Sequence, residues 1–156
     1  MADLIIARIV HVIAVLFWIG GVGIVTLVVF PWVRRTQAPE ARLAAFHQIE
    51  GRFAPQARLW VALAGLSGGW LLWSSGEWQL FFSLALWWLQ PMVAVWLVFA
   101  LMLFIAEPLA LHRRMRESRA PEADFRRMEW AHRALLVLAT GALACAVGGS
   151  HGLFAG

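Results

Sequence analysis

Four stretches of the chain carry no Asp, Glu, Lys or Arg: Ile9 to Val33, Leu59 to Gly76, Trp78 to Ala106 and Ala134 to Gly156. Their apolar residues are continuous instead of alternating at every second position, a pattern that predicts helices and argues against a membrane β-barrel. Each stretch is long enough for a hydrocarbon core that takes roughly 20 residues of helix to cross. The pattern therefore predicts an all-α integral membrane protein, a single four-transmembrane-helix bundle with helices at about 4–31, 39–75, 80–112 and 121–150. Four crossings nearly exhaust the chain and leave no room for a soluble catalytic domain.

Local chemistry refines these boundaries. The first helix is expected to end near Pro31, with Trp32, Arg34 and Arg35 marking a membrane boundary. Pro39 suits the first position of the second helix, Glu40 complements its positive end, and Pro55 predicts a kink before the chain enters the membrane near Leu59. The third helix begins properly at Pro91, with Leu80 to Gln90 either its extension or an interfacial segment. Ala120-Pro121-Glu122-Ala123 starts the fourth and echoes Ala38-Pro39-Glu40-Ala41 before the second. Two related helical hairpins would give that echo, and so would good helix-start chemistry used twice.

Charge sets the orientation. The net charge is +4, and twelve of the thirteen arginines fall in Arg34 to Arg58 and Arg113 to Arg133, with no lysine anywhere. The loop around Ser74 to Gln79 carries only Glu77, so the positive-inside rule places both Arg-rich loops in the cytoplasm and both termini on the periplasmic side. The expected location is a bacterial-type inner membrane. Anionic lipid headgroups account for the basic segments, which makes membrane lipid a partner and nucleic acid not one. The run from Met1-Ala2-Asp3-Leu4 lacks a basic start and a cleavage site, and reads as a retained helix. Hydrophobic residues make up 62% and charged residues 14%, and mean hydropathy is +0.72, all consistent with lipid as solvent. Cys145 is the only cysteine, which excludes an intramolecular disulfide and a covalently attached haem. Glycines and alanines such as Gly20, Gly21, Gly23 and Gly141 to Gly149 admit either close helix approach, extending to a homo-oligomer, or space for a flat cofactor.

Histidine in or at the edge of a membrane is costly without a partner, so His11, His47, His112, His132 and His151 are the chemical constellation to explain. His11 lies 20 residues before Pro31, roughly 30 Å at 1.5 Å per residue, and the same arithmetic puts His151 near the same outer face. His112 and His132 each adjoin an arginine at the cytoplasmic boundary, and His47 sits further out on the projecting second helix. Histidines near opposite faces suit one or two b-type haems held between helices, with His11, His151, His112 and His132 as iron ligands. Arg8, Arg58, Arg126 and Arg133 would pair with haem propionates. Glu107 is a candidate proton carrier or an ion-pair partner for the loop arginines, and Glu129 reads as part of a solvated or headgroup face.

These residues resemble the HemJ-type protoporphyrinogen oxidases and the related CopD-like membrane domains. The resemblance rests on His11 followed by Trp18 and Gly20-Gly21, on Arg52 and Pro55, and on Phe125-Arg126 with Glu129. It implies a haem-binding helical bundle with His11 as a ligand. The family's third-helix Trp-Leu-His-x-Lys motif falls on Trp88-Leu89-Gln90-Pro91-Met92, where Gln90 and Met92 replace the His and Lys. The resemblance therefore implies haem binding more strongly than porphyrinogen oxidation.

The resulting expectation is a haem b membrane electron carrier or oxidoreductase, exchanging electrons with quinone or a periplasmic redox protein. Copper handling is the alternative, weakened because Met92, Met102, Met115 and Met128 form no closely spaced set. A subunit or assembly factor without chemistry of its own is the third reading. The sequence carries no nucleotide-binding glycine loop and no catalytic Ser-His-Asp pattern.

Overall fold

The structure, a computed structural model, describes residues 2–76, 78–82, 84–106, 118 and 120–154. Glu107 and His112 lie outside the described residues, so the expectations placed on them have no structural counterpart. The described residues are helical with no strand among them. Among the described residues three helices are long and apolar enough to cross a membrane: α1 (Ala2–Thr36), α3 (Leu86–Ala106) and α4 (Pro121–Ser150). Such a set is compatible with a multi-pass membrane protein. Between them runs α2 (Arg42–Ser74), 33 residues long. It falls outside the apolar set because Arg52, Arg58, Ser67-Gly68-Gly69 and Ser74 dilute its hydropathy.

Helix α1 does not end near Pro31. It passes through a π turn at Val25–Val29, and Pro31 then falls at the start of the α-helical stretch Phe30–Thr36. A missing N–H costs least at such a position, so the helix continues to Thr36. The Thr26 hydroxyl donates to the Val22 carbonyl at 2.7 Å within this irregular turn. A second π turn, Met102–Ala106, closes α3. Helix α2 is introduced by a 3-10 turn at Pro39–Ala41 and continues through Pro55 to Ser74, where Gly76 at φ +72° turns the chain. The segment left open at the start of α3 is a 3-10 stretch, Leu84–Leu89, with non-helical backbone at Leu86, and regular α-helix follows over Gln90–Leu101. Helix α4 persists through Gly148 and Gly149 to Ser150.

Ring and hydrogen-bond contacts fix the helix directions. Phe17 stacks on Trp60 and Phe30 on Phe46, so rising numbers on α1 meet falling numbers on α2 and the pair is antiparallel. Trp96 Nε1 donates to the Val61 carbonyl at 2.8 Å and Arg58 Nε to the Leu103 carbonyl at 3.1 Å, which sets α3 antiparallel to α2. Helix α4 runs antiparallel to α1, with Leu136 near Gly23 and Phe125 against Phe30. It is parallel to the start of α2, with Arg42 on Glu122 and Phe46 near Phe125.

Two apolar cores result. One joins Ala14, Trp18, Val61, Ala64, Phe99 and Ala139, and the other joins Phe30, Val33, Leu43, Phe46 and Phe125. The outward face of α1 exposes Ile5, Ile9, Val12, Leu16 and Leu27, and that of α4 exposes Val137 and Leu138. Such continuous apolar surface is costly in water and is the matching surface for lipid tails. At the Arg-rich end, Glu129 is 3% exposed and accepts from Arg34 and, at 2.6 Å, from Arg133. This corrects the expectation of a solvated Glu129: the carboxylate ties α1 to α4 from inside, because the helix face carrying Phe125 and Glu129 turns toward the bundle.

Candidate functional site

A cleft of about 630 Å³ lies between α1, α2, α3 and α4. Both π turns border it, Val25 and Val29 from α1 and Met102, Leu103 and Ala106 from α3. A π turn inserts one residue and swings the following side chains about the axis, which is why such turns gather at functional sites. Gly20 and Gly21 form part of the wall, and a Cβ added at either would meet nothing within 4 Å. Their missing side chains keep space open. The glycines that serve close packing are others: a Cβ on Gly65 would collide with Trp96, one on Gly149 with Trp88, and one on Gly68 would lie 2.9 Å from the His11 ring.

The lining is largely apolar and aromatic, with Phe17, Trp18, Phe53, Trp60 and Phe99, and few polar groups face it: His47, Glu50, Gln56, Asp124, Arg127 and His132. A volume of this size with few convergent polar groups is typical of sites for small organic ligands, roughly 300–1,000 Å³. His132 stands on α4 with its ring edge-on to Phe30 and Phe46, at 5.1 and 5.8 Å between centroids. Its Nδ1 donates to the Met128 carbonyl at 2.9 Å. That bond fixes the tautomer and leaves Nε2 as the basic nitrogen, the arrangement that metal-ligating histidines use. His47 Nδ1 lies 3.0 Å from Glu50 Oε2, one helical turn away on α2. Arg127, held to Asp124 at 3.4 Å, lies on the same lining and can meet an anionic substituent.

Trp18 adds an unsatisfied donor. The residue is 2% exposed, and its Nε1 is the one buried side-chain N or O atom without a hydrogen-bond partner among the described residues. Leaving such a donor unpaired costs about 1–3 kcal/mol. The rest of the indole is committed to packing, T-shaped on Phe99 at 5.1 Å.

The structure divides the candidates read from sequence. His132 is on the cleft. His11 is on the opposite half of the bundle, where its Nδ1 lies 3.0 Å from the Ala64 carbonyl and 3.2 Å from Ser67 Oγ, a α1–α2 clasp with the ring over Gly68. His151 caps α4 at the surface, with Nδ1 on the Val147 carbonyl at 2.9 Å. Arg8 and Arg126 are exposed, Arg58 reaches α3, and Arg133 is bound to Glu129. Among the described residues no group of three or more His, Cys, Asp or Glu is placed to hold a metal ion by itself.

Sequence reasoning names His47 without giving it a role, and misses Glu50 and Arg127. The signal was present for the first two. Leu43, Phe46, His47, Glu50 and Ala54 recur at three- and four-residue spacing along α2, one face of a helix, and that face turns inward. The chain matches no family model, and neither comparison with curated proteins nor comparison with solved structures gives a match.

Proposed function

We propose that the chain is a four-span inner-membrane protein that binds haem b in the cleft, with His132 as iron ligand, and passes electrons between membrane quinone or a periplasmic redox partner and the haem. The observation that carries this reading is His132 itself: an imidazole on the wall of an apolar cleft of about 630 Å³, its Nδ1 engaged by its own helix and its Nε2 left basic. In this reading both Arg-rich segments face the cytoplasm and both termini the periplasm, with α2 as the remaining span.

The chain's own groups have defined tasks. Phe30 and Phe46 clamp the His132 ring against rotation. Gly20 and Gly21 leave one wall flat enough for a planar ring system, and Trp60 and Phe17 offer apolar area beside it. Arg127 supplies positive charge for propionate, the role expected of Arg126 one position earlier. The lining is largely apolar, which strengthens a polar contact made against it. Haem, when bound, supplies one-electron redox chemistry.

The test is the absorption spectrum of detergent-purified full-length protein, oxidised and dithionite-reduced, with pyridine haemochrome quantification. A b-type α band near one haem per chain, lost in His132→Ala and kept in His151→Ala, supports the assignment. If His132→Ala keeps the band and His11→Ala loses it, the ligand is His11 and the cleft is not the site. A colourless, folded protein given sufficient haem ends the haem reading.

A further inference from the structure

A second hollow, of about 460 Å³, lies at the Arg-rich end between the starts of α2 and α4, lined by Glu40, Leu43, Ala44, His47, Gln48, Ser118 and Pro121. It shares two wall residues with the apolar cleft, Leu43 and His47. Among the described residues His47 is thus the only side chain able to exchange a proton that borders both spaces. Its Nδ1 lies 3.0 Å from Glu50 Oε2, and Glu50 lines the cleft but not the second hollow.

We propose that His47 and Glu50 form a proton relay between the aqueous side at the Arg-rich end and the apolar cleft. A neutral imidazole accepts a proton at one nitrogen while releasing one from the other, so it moves charge without moving itself. With Nδ1 taken by Glu50, Nε2 receives a proton from a hydronium ion of the aqueous side, which leaves as water. The Nδ1–H bond then breaks, an O–H bond forms on the Glu50 carboxylate, and His47 returns to the neutral state as the other tautomer. Glu50 thereby holds one proton at the cleft wall, and the transfer needs no oxidant or reductant.

The surroundings suit a relay better than a fixed ion pair. Side-chain exposure is 12% for His47 and 24% for Glu50, so the pair is part-buried yet reachable. The other charged or titratable groups around His47 are Glu40 just before α2, and Asp124, Arg127 and His132 from α4. Arg127 and Asp124 pair with each other, Ser118 Oγ donates to Asp124 Oδ2 at 2.9 Å, and Arg42 is engaged by Glu122. Among the described residues Glu50 forms its ion pair with His47, 3.0 Å away. The relay gives the cleft of the proposed function a proton to balance electron arrival. It is tested without haem, so its failure is separable from failure of that reading.

The experiment is a pH jump on the full-length haem-free protein in nanodiscs, followed by time-resolved infrared absorption of carboxyl groups. Glu50→Gln identifies the Glu50 band by removing it. The wild-type band is expected to follow bulk pH, and His47→Phe to slow its response at least about tenfold because the exchanging imidazole is gone. His47→Gln, which keeps a polar side chain of similar reach, is expected to slow it equally, and helix content by circular dichroism verifies that both variants fold. A Glu50 band that responds as fast in both His47 variants as in the wild type overturns the relay. So does the absence of any band that titrates in the wild type and is lost in Glu50→Gln.

Discussion

The two halves of the bundle use the same small residues to opposite ends. Toward the chain termini, α1, α2 and α3 close tightly: the His11 ring lies over Gly68 and Trp96 fills the space beside Gly65, its indole N–H on the Val61 carbonyl. Toward the Arg-rich end Gly20 and Gly21 face open space, and two π turns border the cleft. Glycine in a membrane helix therefore does not by itself mean close packing. Which role it plays depends on whether the facing helix brings an indole or a hollow.

Substitutions on either side of this contrast differ in size and in kind. The largest loss of stability is expected at the clamp that holds the open half together. Glu129→Ala leaves Arg34 and Arg133 without their shared carboxylate and should cost about 3 kcal/mol, read as a lower melting temperature in detergent. Next comes Gly65→Val, which displaces Trp96 and should cost about 1–3 kcal/mol by overpacking, with Trp96 fluorescence shifting as its N–H bond breaks. His11→Phe removes the link to Ala64 and Ser67 and should cost about 1 kcal/mol while leaving any pigment bound in the other half. Smallest in stability is Gly21→Leu, expected to stay within about 1 kcal/mol of wild type because nothing stands where the side chain would go. It should nevertheless fill the cleft and cut haem content severely. A Gly21→Leu protein that melts many degrees lower would show that this half is as tightly packed as the other.

The apolar runs and the proline positions made most of the helix layout readable from sequence, since length and hydropathy dictate spans directly. Facing was harder to read. Periodicity assigns a face only while the helix stays regular, and the π turn at Val25–Val29 rotates everything after it, so Phe30 and Val33 enter the core on either side of a proline that reads as a stop. Glu129 was read as solvated because its charge and its arginine neighbours resemble a surface. Its burial comes from Arg34 on a different helix, a contact that spacing along α4 cannot reveal. His132 was legible as a boundary histidine, whereas His47 looked remote because the projecting length of α2 conceals that its inner face returns over the cleft.

The most direct test of the central claim is a haem titration of the purified apo protein in nanodiscs, wild type against Gly20→Leu/Gly21→Leu, with helix content and melting followed in parallel. The cleft account predicts saturation near one haem per wild-type chain, and little or no binding by a filled-cleft variant that folds and melts like the wild type. Equal stoichiometry and affinity in the two proteins would place the haem elsewhere and contradict the account.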